Sequence, residues 1–411
     1  MSALARLFLY EKKEVSGTDR APTDITKALE VEGVEFSTKQ DGKLLKKVKP
    51  DLIVYTEAMD KTHPEMLVAK ELGVSMVNYF EALAMIANQY HLIAVAGTHG
   101  KTTTTAMVID ILEAAGLDPT AIVGSLRSKT GKNFRAGKSK YFIAEACEYR
   151  RDFLYLKPDV LVITNIEPEH LDYYKDLADI QAAFKELIEK MPEDGAVVCD
   201  TSDKNLVPVL ERMPVKVTDY RKEIDLNLKL KVPGLHNLKN AAAATAAAAL
   251  IGVKKEVIRQ ALEEFSGTWR RFEYKGELNG APIHDDYGHH PTEIKATLSG
   301  AREIYPNKKI TVVFQPHLYS RTAELFDDFV SALALADRVI VTHVYDARNT
   351  GKGGVGGEKL AEETKKKNPN ASYIDLFDDI VEELKKSVKE NDVVLVMGAG
   401  DVTSVSSRLV A

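Results

Sequence analysis

The sequence predicts an α/β protein with largely parallel sheets. Three observations predict it. Short strand-like runs rich in Val and Ile alternate with helical patterns along the chain. One of those runs ends in a glycine turn that opens directly into a helix. The length of 411 residues exceeds what one core holds and suggests about two or three domains.

The elements follow in order. "DLIVYT" (Asp51–Thr56) is a buried-strand candidate, and "HPEMLVAKELG" after it has helical spacing. The helix "YFEALAMIANQ" ends near Gln89, where we place a first boundary. "LIAVAG" and "DVLVIT" (Asp159–Thr164) are the strands of the middle segment. "NAAAATAAAAL" (Asn240–Leu250) is low in complexity but helical, since alanine has the highest helix propensity. A second boundary falls near Gly267–Phe272, after the helix "KKEVIRQALEEF". "ITVVFQ" (Ile310–Gln315), "RVIVTHV" (Arg338–Val344) and "DVVLVMG" (Asp392–Gly398) are the strands of the last segment. The expected domains are 1–89, 90–270 and 271–411. The basic run "KLLKKVK" at Lys43–Lys49 reads as a solvated face.

Composition bounds the function. Fifty-five basic against 61 acidic residues give a formal charge of −6, which argues against a general nucleic-acid surface. An anion site must therefore be local. Cys147 and Cys199 have no metal spacing and fit a reducing compartment. No apolar run reaches the roughly 18 residues of a membrane span. "MSALARLFLY" is interrupted by Arg6 and makes a poor signal peptide. The expectation is a cytoplasmic protein with small-molecule partners, no membrane and no nucleic acid, as a monomer or homodimer.

The chemistry starts at "AGTHGKTTTT". Gly100, Lys101 and Thr102 complete a phosphate-loop pattern whose first glycine is replaced by Val95. A strand, a glycine turn and a helix start gather backbone N–H groups and the positive end of the helix dipole at one point. Lys101 can then reach the terminal phosphates of ATP, and the Thr102 hydroxyl can ligate Mg²⁺, a hard ion that prefers oxygen. A plain turn rich in glycine and threonine is the alternative, and the strand–helix setting disfavours it.

Glu145 in "AEACEYRRDF" and His170 in "TNIEPEHLDYY" each follow a strand. In doubly wound sheets the ligand crevice lies at the carboxyl ends of strands, so Lys101, Glu145 and His170 are expected to converge. A lone glutamate is ordinarily solvated and a lone histidine ordinarily a cap; the shared position makes them a site. His236, Asn237 and Asn240 in "VPGLHNLKNAAAA" open the alanine helix, as caps or as adenine contacts. Asp286, Tyr287, His289 and His290 share the loop "DDYGHHPTE". His317 and Arg321 project from "FQPHLYSRT", where an arginine can fork onto a carboxylate.

Taken in this order, "AGTHGKTTTT", "TNIE", "PGLHN", "RRFE", "DDYGHHPTE", "FQPH", "SRT" and "GAGD" resemble the Mur ligases, in the branch that handles L-alanine. The motifs span nearly all of the chain after residue 90. The resemblance implies three domains: a truncated Rossmann-like nucleotide-sugar domain, a central P-loop ATPase domain and a Rossmann-like C-terminal domain. It implies an ATP- and Mg²⁺-dependent ligase that joins L-alanine to UDP-N-acetylmuramate through an acyl phosphate.

By the same resemblance, Gly97, Thr98, His99, Gly100, Lys101, Thr102 and Thr103 hold ATP, with His236, Asn237, Asn240, Arg271 and Asp286. Thr102, Glu145 and His170 hold metal. Tyr287, His289, His317 and Arg321 take the amino acid. Thr18 and Asp19 lie near the UDP. Lys101, His170, His289 and Arg321 carry the catalysis.

The chain departs from the family pattern in places. "MSALARL" matches the residues just after the family's first strand and glycine loop, so the nucleotide-sugar site is expected to be incomplete. "EACEY" stands for E-A-D-E-S, Glu169 for aspartate, Leu318 for an arginine of some members, and "VYDARNTGKGGVGG" is looser than usual. Two other readings stay open: a ligase that recycles a ready-made peptide, and a nucleotide-binding protein without ligase activity.

Overall fold

The structure, a computed structural model, describes the whole chain except Ala58, Leu171, Asp172, Arg212 and 347–354. It folds as two compact units, Met1–Leu226 with Lys239–Leu262, and Asn227–Leu238 with Glu263–Ala411.

The first unit begins with the helix Ser2–Tyr10, followed by two parallel strand pairs. β1 (Ser16–Thr18) pairs with β2 (Glu35–Ser37), and β3 (Leu52–Tyr55) with β4 (Ser75–Asn78). The helices that follow β1 and β4, Asp24–Val31 and Tyr79–Ala87, carry their own start signals. Thr23 and Asn78 each close a capping box with the residue three positions on. The basic run forms the helix Lys43–Val48 with no buried residue, as expected of a solvated face.

A seven-stranded sheet follows, built from β5 (His91–Ala96), β6 (Thr120–Arg127), β7 (Lys132–Arg135), β8 (Tyr141–Glu145), β9 (Val160–Ile163), β10 (Ala196–Cys199) and β11 (Lys216–Asp219). Its order is β11-β10-β9-β5-β8-β6-β7, parallel except for β7 against β6. β5 is central and wholly apolar after His91, with Leu92 to Ala96 fully buried, as a strand covered on both faces must be. One core joins Leu4 and Leu7 of the first helix to Leu83, Leu92, Phe142 and Phe184. Burying each such side chain stabilises by about 1.5–3 kcal/mol. Because β9 and β8 flank β5, the loops leaving all three strands open side by side.

The second unit holds β12 (Glu273–Leu278), β13 (Ala281–Asp286), β14 (Lys309–Phe314), β15 (Arg338–Val341), β16 (Ala371–Tyr373) and β17 (Asp392–Met397), in the order β12-β13-β17-β14-β15-β16. Only β12 is antiparallel to its neighbour. Strand alternation divides the core over two faces: Val312 and Phe314 pack on one, Val313 on the other.

The hairpin β6–β7 was not legible beforehand, because Gly124 and the arginines interrupt its apolar pattern. The alanine run is the helix Leu235–Leu250, with Ala241–Ala244 and Ala246–Ala248 at most 2% exposed. Small side chains there let backbone and neighbours approach closely.

Candidate active site

The phosphate loop is shaped by two glycines. Gly97 has φ +127°, and a Cβ there would overlap the Thr164 hydroxyl. Gly100 has φ +83° and lies against the Asn240 side chain. Both conformations are open to glycine at no steric cost. The loop is then clamped by the segment after β9. The Thr98 N–H donates to Asn165 O (3.0 Å), the His99 N–H to Asn165 Oδ1 (3.0 Å), and Thr164 Oγ1 and Asn165 Nδ2 to His99 O (2.6 and 3.0 Å).

From this loop the helix Lys101–Ala114 begins. Lys101 Nζ folds back to Gly97 O (2.5 Å), Thr98 O (3.0 Å) and Glu148 Oε1 (3.1 Å). Burial alone would lower the ammonium's pKa; the Glu148 carboxylate foremost outweighs it and holds the pKa above its ordinary value. Thr102 Oγ1 donates to both Glu145 oxygens (3.0 and 2.9 Å), and the Gly124 N–H donates to Glu145 Oε2 (2.8 Å). His170, at φ 56°, brings Nε2 to 3.7 Å from Glu148 Oε1. Glu148, Glu169 and His170 offer ligand atoms within 4.8 Å of one another. Cys147 sits in the same turn, and burial pushes its thiol up to about 12, so it stays protonated.

In the second unit the loop after β13 forms a polar cluster. Asp286 accepts the Phe272 N–H (2.8 Å) and the Gly288 N–H (2.7 Å), and burial raises its pKa to about 6 against the pull of Arg271. Arg271 lies 5.2 Å from the Tyr287 ring centre and 3.7 Å from Glu293. His289 is driven down to about 3 by burial, so it is neutral at pH 7. Its Nδ1 faces Tyr287 O at 3.1 Å, which fixes the proton there and leaves Nε2 an acceptor. Arg321 Nη1 donates to His317 Nδ1 (3.0 Å), and the His317 ring stacks on Tyr345 at 5.9 Å.

The sequence matches three domain families: "Mur ligase family, catalytic domain" over residues 1–91, "Mur ligase middle domain" over 95–223 and "Mur ligase, glutamate ligase domain" over 270–400. The chain belongs to the Mur ligase family. A UDP-N-acetylmuramate–L-alanine ligase of Caldanaerobacter subterraneus is 38% identical, with 99% of this chain and 94% of that protein covered. One of Clostridium novyi is 39% identical over 98% and 93%. The crystal structure of the UDP-N-acetylmuramate–alanine ligase of Thermotoga maritima superposes with a TM-score of 0.84 at 29% identity, covering all of this chain and 95% of that one.

This Mur ligase has the family's three-part α/β architecture, as the motifs implied. Its predicted residues divide as follows. Gly97 to Thr103 form the loop and the helix start, with Lys101 near Glu145 and Glu148 and, through Glu148, near His170. Thr102 with Glu145 is one group, and His170 with Glu148 and Glu169 another. Thr18 ends β1 and donates to Glu65 Oε2 (2.8 Å), with Asp19 next to it. Asn240 lies in the first unit. His236 and Asn237 lie in the second, where burial lowers His236 to about 4 and Asn237 Nδ2 donates to Pro233 O (2.7 Å). Tyr287, His289, His317 and Arg321 share one cluster. Part of "VYDARNTGKGGVGG", and Asp172 of "DYY", fall outside the described residues.

Sequence reasoning passed over Glu148 and the Thr164–Asn165 clamp. The second acid of "EACEY" was a signal for Glu148, but only the turn after β8 carries it round to Lys101.

Proposed function

We propose that this Mur ligase joins L-alanine to UDP-N-acetylmuramate at the expense of ATP. The observation that carries the reading is the likeness, over nearly the whole chain, to relatives bearing that name. The loop and cluster chemistry fits it. A carboxylate is a poor acyl donor because its leaving group would be oxide. Transfer of the γ-phosphoryl group of ATP to the muramyl carboxylate gives an acyl phosphate; the amine of L-alanine then attacks it, and phosphate leaves as the amide forms.

Residues 1–89, 90–270 and 271–411 would serve the sugar nucleotide, the ATP and the amino acid in turn. Lys101 is held charged, and exchanging its loop carbonyls for phosphate oxygens keeps it in contact with oxygen throughout. The carboxylates of Glu148 and Glu169, and in the second group the Thr102 hydroxyl and Glu145, would offer Mg²⁺ the oxygen donors it prefers, with His170 at the first group. A bound Mg²⁺ would offset the crowding of negative charge around the phosphates. Arg321 would fork onto the alanine carboxylate. His289, neutral and with Nε2 left as an acceptor, would accept a hydrogen bond from the incoming amine and orient it; a group with a pKa near 3 does not store the proton.

The test is phosphate release by the purified chain with ATP, Mg²⁺, UDP-N-acetylmuramate and each amino acid in turn. Release that needs both the sugar nucleotide and L-alanine supports the reading. Release with a tripeptide alone points to peptide recycling, and ATP binding without release to a ligase-inactive protein.

A further inference from the structure

The turn after β8 holds two consecutive arginines in the left-handed region, Arg150 at φ 55° and Arg151 at φ 60°. Side chains adopt this region rarely, and where they persist in it the surroundings over-determine them, often at functional sites. Arg151 is explained by packing: it pairs with Asp179 (2.6 Å) and Glu186 (3.3 Å). Arg150 points elsewhere. Its Nη1 donates to Glu57 Oε2 at 2.7 Å, and its guanidinium lies 5.6 Å from the Tyr149 ring centre. That ring is 4.8 Å from His170, which stands beside Glu148, the partner of Lys101. Glu57 comes just after the carboxyl end of β3.

Arg150 therefore bridges two places in the same unit: the strand ends where a nucleotide sugar would lie, and the edge of the phosphate loop. Its side chain is 43% exposed and that of Glu57 30%, so both are open to a ligand. A single hydrogen bond, Nη1 to Oε2, is made between them, although a guanidinium can fork onto both oxygens of a carboxylate.

We propose that Arg150 receives the muramyl carboxylate of the sugar nucleotide, with Glu57 as its internal stand-in until that substrate arrives. Arg150 is then a positioning residue that sets the acid toward the phosphate loop. This rests on the functional reading above. The rival account is a pin: an ion pair that merely ties the first 89 residues to the turn after β8.

The two accounts differ in sign at Glu57. Initial rates of phosphate release are measured for the wild type, Arg150→Ala, Arg150→Lys and Glu57→Gln, with each substrate varied. We expect Arg150→Ala to raise KM for UDP-N-acetylmuramate about tenfold or more, while KM for ATP stays within about twofold, as suits a contact made by one substrate. Arg150→Lys recovers part of the loss, since the charge returns without the fork. Glu57→Gln removes the competitor and lowers KM for the sugar nucleotide, by about two- to fivefold. A pin predicts that Glu57→Gln raises that KM or lowers the thermal midpoint as Arg150→Ala does, and either result overturns the proposal. An unchanged KM in Arg150→Ala, with normal wild-type turnover, overturns it alone. A wild type that does not turn over with both substrates overturns the functional reading and this inference with it.

Discussion

Replacing Lys101 separates its structural role from its chemical one. The Lys101 side chain is 14% exposed and that of Glu148 opposite it 3%, with the charged groups 3.1 Å apart. Lys101→Met leaves the Glu148 carboxylate where water scarcely reaches, and breaking a buried pair from one side costs about 3–5 kcal/mol. A unit of this size loses roughly 2–4 °C of thermal midpoint per kcal/mol, so a fall on the order of 10 °C is expected. Glu148→Gln added to Lys101→Met removes the orphaned charge and should restore most of that midpoint. Activity should not return. The double variant still lacks the cation that meets the phosphates, and phosphate release should stay about 10²–10³-fold or more below wild type. Calorimetry on both variants beside the phosphate-release assay reads both arms. A single variant as stable as wild type would refute the buried-pair argument, and a double variant with wild-type turnover would remove Lys101 from the mechanism.

Other consequences are as direct. Gly97→Ala forces a Cβ into the Thr164 hydroxyl at φ +127°; we expect a loss of about 2–4 kcal/mol and of nucleotide binding, read by denaturation and a fluorescent ATP analogue. Asp152 is raised to about 6 by burial first and then Glu57, against Arg150. A carboxyl whose folded pKa exceeds its unfolded value contributes stability below about pH 4, lost as pH rises through about 6. Asp152→Asn should therefore stabilise by about 1–2 kcal/mol at pH 7.5 and by far less at pH 4; an equal gain at both would contradict the shift. Arg321→Ala should raise KM for L-alanine about tenfold to a hundredfold and leave KM for ATP within about twofold; a rise in both would place Arg321 outside the amino-acid contact.

The local signals determined much of this protein. An apolar strand, a glycine turn and Lys101–Thr102 at a helix start are contiguous in sequence, so "LIAVAGTHGKTTTT" defines the loop without reference to the rest of the fold. The strands β5, β9, β14, β15 and β17 were legible for the same reason: each is a short, continuous apolar run of the kind that a sheet covered on both faces accommodates. What the sequence left open depends on neighbours far apart in the chain. The order β9-β5-β8 decides that residues 101, 148 and 170 meet, and no local pattern encodes strand order. Glu148 became visible as the partner of Lys101, and Arg150 as the partner of Glu57, only once the turn after β8 was in place. Ion pairs of this kind are set by where backbone segments cross, and residues 47 or 93 positions apart leave no periodic trace.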